Sequence, residues 1–438
     1  MSPDTTRRRV VLPTAPSTLA ESGLAFDTLL QMITKILHLA GERSGADLAS
    51  RLGLRYAVIE PVLQHLRSTH LCEVFGGGFV GGPSFTYRIT DAGRARAMLY
   101  LEQSHYVGVA PVPFRQYEQY MRQFDQQVER TVTRARVQQG FSHLVLSDRV
   151  LDQLGPAVNS GHSLFVYGPP GNGKTVIAQG IKNLLDGDIA IPHAVDYEGH
   201  LLQVFDPVIH EARTELASDD MDGGDAPDGR WLRCRRPLVT VGGELTLSSL
   251  ELAFDTTNGF YRAPIQLAAN GGVLVIDDFG RQRCSVVDLL NRWITPLETR
   301  TDYLTLTSGQ KLPMPFVVLV VLATNIKPVD LVDEAFLRRI HYKVFAENPT
   351  VLDFKQIFQR CCRQRGVDYD DALVDRLITD HLRRRGIVLR GCHPRDLIDH
   401  ALALADYLGE PRHLTEQLLI GACASYFLDD QAGLTPPS

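Results

Sequence analysis

Gly168-Pro169-Pro170-Gly171-Asn172-Gly173-Lys174-Thr175 fills every specified position of a G-x-x-x-x-G-K-[ST] phosphate-binding loop. The apolar run Ser163-Leu164-Phe165-Val166-Tyr167 precedes it and reads as a buried strand; Val176-Ile177-Ala178-Gln179-Gly180-Ile181 follows and reads as a helix. In that setting the glycines let backbone N–H groups converge on phosphate oxygens, and the helix N-terminus adds its positive dipole end. Lys174 is expected to reach the outer phosphates and Thr175 to offer its hydroxyl to Mg²⁺. The loop residues from Gly168 to Thr175, with Val176 behind them, are the candidate nucleotide contacts.

Two further apolar runs end in polar side chains. Gly271-Gly272-Val273-Leu274-Val275-Ile276-Asp277-Asp278 reads as a strand delivering two carboxylates. Asp277 is expected to hold the ion with Thr175, through water, and Asp278 to polarise an attacking water. Phe316 to Ala323 is a second buried strand, continued by Thr324-Asn325. Strand ends on one edge of a parallel sheet gather at the ligand crevice, so Asn325 would orient that water with Asp278; its other reading is a turn residue before Pro328. Asp333-Glu334-Ala335-Phe336-Leu337-Arg338-Arg339-Ile340 ends a short helix in a cationic pair, either a solvated surface or an arginine finger for a neighbouring subunit's phosphate. Gly391-Cys392-His393-Pro394-Arg395-Asp396-Leu397 opens a helix with Pro394 near its first position, and Arg395 there would reach back to the phosphates.

The order of these motifs resembles that of the AAA+ ATPases over residues 141–430, and within them the MoxR-type branch. The resemblance implies Walker A at Gly168–Thr175, Walker B at Asp277 and Asp278, sensor 1 at Asn325, the arginine finger at Arg338 or Arg339 and sensor 2 at Arg395. Ala335 to Ile340 is similar to the branch's Ala-x-x-Asp-Arg-Phe pattern, which favours Arg339 as the finger, and Gly391 to Arg395 to its Gly-x-Ser-Pro-Arg pattern. Leu304 to Leu312 reads as the hairpin before sensor 1, and residues 200–262 as a pore-facing insertion in the second helix of the core. Two positions depart from the family: Asp278 replaces the usual glutamate, which bears on hydrolysis rate more than on binding, and Arg338 replaces an aspartate. The implied fold is an α/β P-loop NTPase core with a parallel sheet and a C-terminal helical lid. The implied activity is hydrolysis of ATP with Mg²⁺ at the interfaces of a homo-oligomeric ring, a hexamer by family analogy, that remodels a client protein. Two alternatives stand beside it: an ATP-dependent DNA-associated regulator or motor, and a nucleotide-gated scaffold that hydrolyses ATP very slowly. A GTPase is disfavoured by the lack of an Asn-Lys-x-Asp motif.

The rest of the chain sets the frame. Its 438 residues are 44% apolar and 22% charged with net charge −6, an ordinary globular balance for two or three domains and not that of a strongly basic nucleic-acid binder. Seven cysteines without a C-x-x-C read as reduced thiols. The N-terminus lacks a signal-peptide core and no run approaches a membrane span, so the expectation is a soluble cytoplasmic protein without membrane insertion. Residues 1–22 read as a flexible tail and 431–438 as another. Residues 23–110 read as a winged helix-turn-helix-like domain, with helices over Gly45–Leu52 and Ala57–Thr69 and a wing around Gly76-Gly77-Gly78 and Gly81-Gly82. Its second helix carries Glu60, His65 and Arg67 after Arg55, a sparse footprint that leaves DNA and protein partners both open. Residues 111–140 read as a helical linker with a solvated face, 141–347 as the nucleotide-binding core, 217–230 as an acidic surface loop and 348–430 as the lid.

Overall fold

A computed structural model describes residues 12–75, 82–127, 131–185, 187–213 and 226–427. The start of the expected N-terminal tail, the wing glycines Gly76, Gly77, Gly78 and Gly81, the acidic stretch through 225 and the expected tail 431–438 lie outside the described residues. The chain divides into two compact units. The first comprises residues 1–130, 185–275 and 282–320, the second residues 131–184, 276–281 and 321–438.

The first unit opens with helices Phe26–Ala40, Gly45–Leu52, Tyr56–Ser68 and Asp91–Gln103 around the short strands Arg43–Ser44, Cys72–Val74 and Thr86–Ile89. The strands form one sheet in which Thr86–Ile89 lies between the other two, antiparallel to both. Local chemistry sets the boundaries. The Ser44 hydroxyl accepts the Asp47 N–H at 3.1 Å, and Gly53 ends the same helix at φ 66°. Leu29, Ile33, Ile36 and Leu37, on one stripe of the first helix, are buried with Leu48, Val58, Val62 and Leu66 in a single apolar cluster.

The expected linker is not one. Phe114–Gln127 is a helix of the first unit, whereas Arg134–Gly140 belongs to the second. Phe114, Tyr117, Met121 and Phe124 recur at helical spacing and are buried in a second apolar cluster, among strands. Those strands include Asp188–Pro192 paired with Trp231–Arg235 and a five-stranded sheet containing Ala194–Tyr197 and His200–Gln203. Residues 200–262 are likewise not a single insertion, because Leu238–Val241 within them is a strand of the main sheet. The hairpin before the Asn325 strand consists of Thr301–Thr305 and Lys311–Pro315 in antiparallel register, turning through Gly309 at φ 86°.

The main sheet has five strands: β1 (Leu164–Tyr167), β2 (Leu238–Val241), β3 (Val273–Ile276), β4 (Leu319–Thr324) and β5 (Tyr342–Phe345). Their order is β2-β3-β4-β1-β5, and β1 pairs in parallel with β4 on one side and β5 on the other. Leu164, Phe165 and Val166 are fully buried, as are all four residues of β3, which is why these strands read as continuous apolar runs without alternation. The fold is α/β with a phosphate loop at the C-terminal end of β1.

The second unit ends in a helical subdomain: helices Val351–Arg365 and Asp371–Arg376, a π-helical stretch Leu377–Arg383, and helices His393–Leu408 and Glu416–Tyr426. Thr350 and Asp353 form a reciprocal capping box at its entry. Phe354, Phe358, Leu397, Ile398 and Leu419 anchor its core. Among the described residues no helix is long and apolar enough to cross a membrane.

Candidate functional site

Every candidate site residue falls in the second unit. The loop leaves β1 at Gly168, where an added Cβ would lie 2.5 Å from the Ala346 carbonyl oxygen, so no side chain fits. Gly173, at φ 71°, starts the helix Lys174–Gly180. Pro170, Gly173 and Val176 are exposed on the rim, and Pro169, Gly171, Asn172 and Thr175 are half-buried.

Lys174 is only 8% exposed and donates from Nζ to the Pro169 carbonyl at 2.8 Å, folded over its own loop. Burial lowers its pKa; Asp278 and Asp277 act against that, and the Arg390 guanidinium lowers it further. Thr175 donates from Oγ1 to Asp277 Oδ2 at 2.7 Å. The other Asp277 oxygen accepts the Asp278 N–H at 3.0 Å, and Asn325 Nδ2 lies 3.4 Å from Asp278 Oδ1, a long hydrogen bond. Two bonds tie this corner to β4: the Phe279 N–H donates to the Ala323 carbonyl at 2.7 Å, and the Thr324 hydroxyl donates to the Phe279 carbonyl at 2.8 Å. The ends of β1, β3 and β4 thus bring Lys174, Thr175, Asp277, Asp278 and Asn325 together.

The arginines are placed differently. Arg338 pairs with Glu334 one helical turn back at 2.8 Å, on an exposed face. Arg339 follows it, half-buried. Arg395 donates from Nε to Asp396 at 2.8 Å with its side chain 62% exposed, and Asp396 also accepts the Tyr426 hydroxyl at 2.9 Å. The structure therefore turns the Arg395 guanidinium to its own helix and not to the phosphate loop.

The segment before Arg395 does meet the loop. The Cys392 N–H donates to the Gly171 carbonyl at 2.8 Å, and the Gly391 N–H donates to Asn172 Oδ1 at 3.2 Å. The Asn172 amide donates to Asn348 at 2.8 Å. Spacing alone gave Asn348 and Arg390 no role and Gly391 only a place in the motif before Arg395, and nothing in the sequence sets Asn348 against Asn172.

Thr175 Oγ1 and Asp277 Oδ2 offer two hard oxygen donors side by side, a set that fits Mg²⁺. Among the described residues no group of three or more His, Cys, Asp or Glu is arranged to hold a metal.

A family model described as a domain of unknown function (DUF8689) matches residues 350–425, the helical subdomain alone. No curated protein matches the chain. Among solved structures, the chain is similar to the Thermotoga maritima RuvB Holliday junction branch migration motor at 15% identity and TM-score 0.38, over 65% of this chain and 70% of that one. It is similar to NtrX from Brucella abortus at 13% identity and TM-score 0.38, over 76% of this chain and 62% of that one. The strand order and loop geometry, rather than these loose likenesses, define the core as a phosphate-loop fold.

Proposed function

We propose that this chain is an AAA+ ATPase of MoxR-like type that binds ATP with Mg²⁺ and hydrolyses it at the subunit interfaces of a ring, a hexamer by family resemblance, to remodel a partner protein. The observation that carries the reading is the hydrogen-bonded series Thr175–Asp277–Asp278–Asn325 at the mouth of the loop that holds Lys174. Glycine-backed N–H groups and Lys174 bind the phosphates, and Thr175 with Asp277 holds the ion, which supplies charge neutralisation of the phosphates. Asp278 takes the proton of the attacking water, and Asn325, which already donates to Asp278, orients that water. Arg339 of a neighbouring subunit, with Arg338 as the adjacent candidate, supplies a further cation to the phosphates.

Phosphate release and fluorescent-nucleotide binding test this together. Asp278→Asn is expected to lower kcat by about 100-fold or more with ATP affinity retained, and Lys174→Ala to abolish binding. Equal near-zero turnover for wild type and Asp278→Asn, with binding intact, identifies a nucleotide-gated scaffold instead.

The sheet of the N-terminal module favours a second role for that module. Its antiparallel order, with Thr86–Ile89 in the middle, suits a winged helix whose helix Tyr56–Ser68 would face DNA. Its cations are few and partly engaged: Arg55 donates to Ser17, and His65 packs edge-on against Phe26. Salt-sensitive binding of duplex DNA by the full chain would support a DNA-associated motor, and no binding at low salt would remove it.

A further inference from the structure

We propose that Arg390 is the lid-side cation that contacts the nucleotide phosphates, the role that motif spacing gives to Arg395. The inference rests on the reading of the loop as a nucleotide site.

Four observations converge on Arg390. Its backbone is fixed over the loop: the residues after it donate to Gly171 and Asn172, and its own N–H donates to His393 Nδ1 at 3.3 Å. Its side chain runs along the loop, with Cδ only 3.5 Å from where a Cβ on Gly171 would sit. Its charge adds to burial in lowering the pKa of the buried His393. Among the described residues its guanidinium has no hydrogen-bond or ion-pair partner, whereas that of Arg395 is held by Asp396.

Lys174 folds over the loop at Pro169 as a point charge, and Arg390 brings a planar fork beside Gly171. Two like charges on one loop repel, unless an anion comes between them. A phosphate chain relieves the repulsion and satisfies both. The ligand chemistry is that of a nucleoside di- or triphosphate, since two separated cations match a chain of phosphates better than a single one.

The test measures MgATP, MgADP and AMP affinity for the full chain as wild type, Lys174→Ala, Arg390→Ala, Arg390→Lys and Arg395→Ala, with thermal melts for each. Arg390→Ala is expected to weaken MgATP binding by about 10-fold or more, with Arg390→Lys recovering part of it, and to weaken AMP binding less. Arg395→Ala is expected to lose less than Arg390→Ala. Recovery by Arg390→Lys, which restores the charge, separates contact with the phosphates from mere structure. If Arg390→Ala does not fold, Arg390→Met, which keeps the length and loses the charge, takes its place. Equal losses at the two arginines, or the reverse ranking, overturn the inference while leaving the nucleotide reading intact. Wild type and Lys174→Ala that both fail to bind MgATP overturn the nucleotide reading, and this inference with it.

Discussion

Asp278 has φ 47°, in the left-handed region that few residues other than glycine occupy. Aspartate and asparagine enter it more readily than longer side chains, because their short polar groups bond locally. The shorter acid at this position is therefore the one its backbone accepts, and the glutamate usual in the resembling family would add strain there. Glycine has a sharper positional meaning in the loop. At Gly168 an added Cβ meets the Ala346 carbonyl at 2.5 Å, while at Gly173 nothing lies within 4 Å and only the positive φ opposes a side chain. Gly168→Ala is expected to cost more than about 2 kcal/mol, and Gly173→Ala about 1 kcal/mol. Urea midpoints of the two variants measured side by side check the ranking, and equal shifts would contradict it.

The helix His393–Leu408 begins with a histidine that is 3% exposed and packed against Tyr426 and Phe427. Burial, and then the Arg390 charge, push its pKa down to about 4, with Asp396 opposing. The unfolded chain, with an ordinary histidine near about 6.5, binds the proton first as pH falls. Stability is therefore lost between about pH 6.5 and pH 4, on the order of 2 kcal/mol at the lower end. Urea titrations at pH 7 and pH 4.5 should show that loss in wild type and a smaller one in His393→Asn, which keeps an acceptor for the Arg390 N–H. Elements of this kind show what sequence can and cannot supply. The phosphate loop, both acids and Asn325 were readable because each follows its own apolar strand, so short-range order fixes them. The helix Phe114–Gln127 carried its signal at 114, 117, 121 and 124, but its Gln and Arg residues read as a solvated linker. Arg390 carried none: its nearness to the phosphate loop depends on how a loop more than two hundred residues downstream lands on Gly171. Nor does a spacing rule register that Asp396, next in the chain, takes the Arg395 guanidinium.

At the scale of the molecule, one chain supplies a loop, two acids and a helical subdomain but keeps Arg338 engaged with Glu334. If Arg339 serves a neighbour, two inactive variants complement each other. In a mixed ring, an Arg339→Ala subunit keeps its loop and a Lys174→Ala subunit keeps its finger. Equal mixing should therefore restore about a quarter of wild-type phosphate release, one interface in four being complete by chance. No recovery after verified subunit exchange would place the finger in the same chain or remove it from the reaction. The division of the chain also has a temporal side. Residues 131–184, 276–281 and 321–438 make up the second unit, with the first unit's segments threaded between them. On the ribosome, Lys174 is therefore translated well before the strip 276–281 that carries both acids, and Arg390 follows later still. A nascent chain holds the phosphate loop before either acid and before the helix His393–Leu408, so the proposed ATPase reading requires that turnover begin only after that helix has left the exit tunnel.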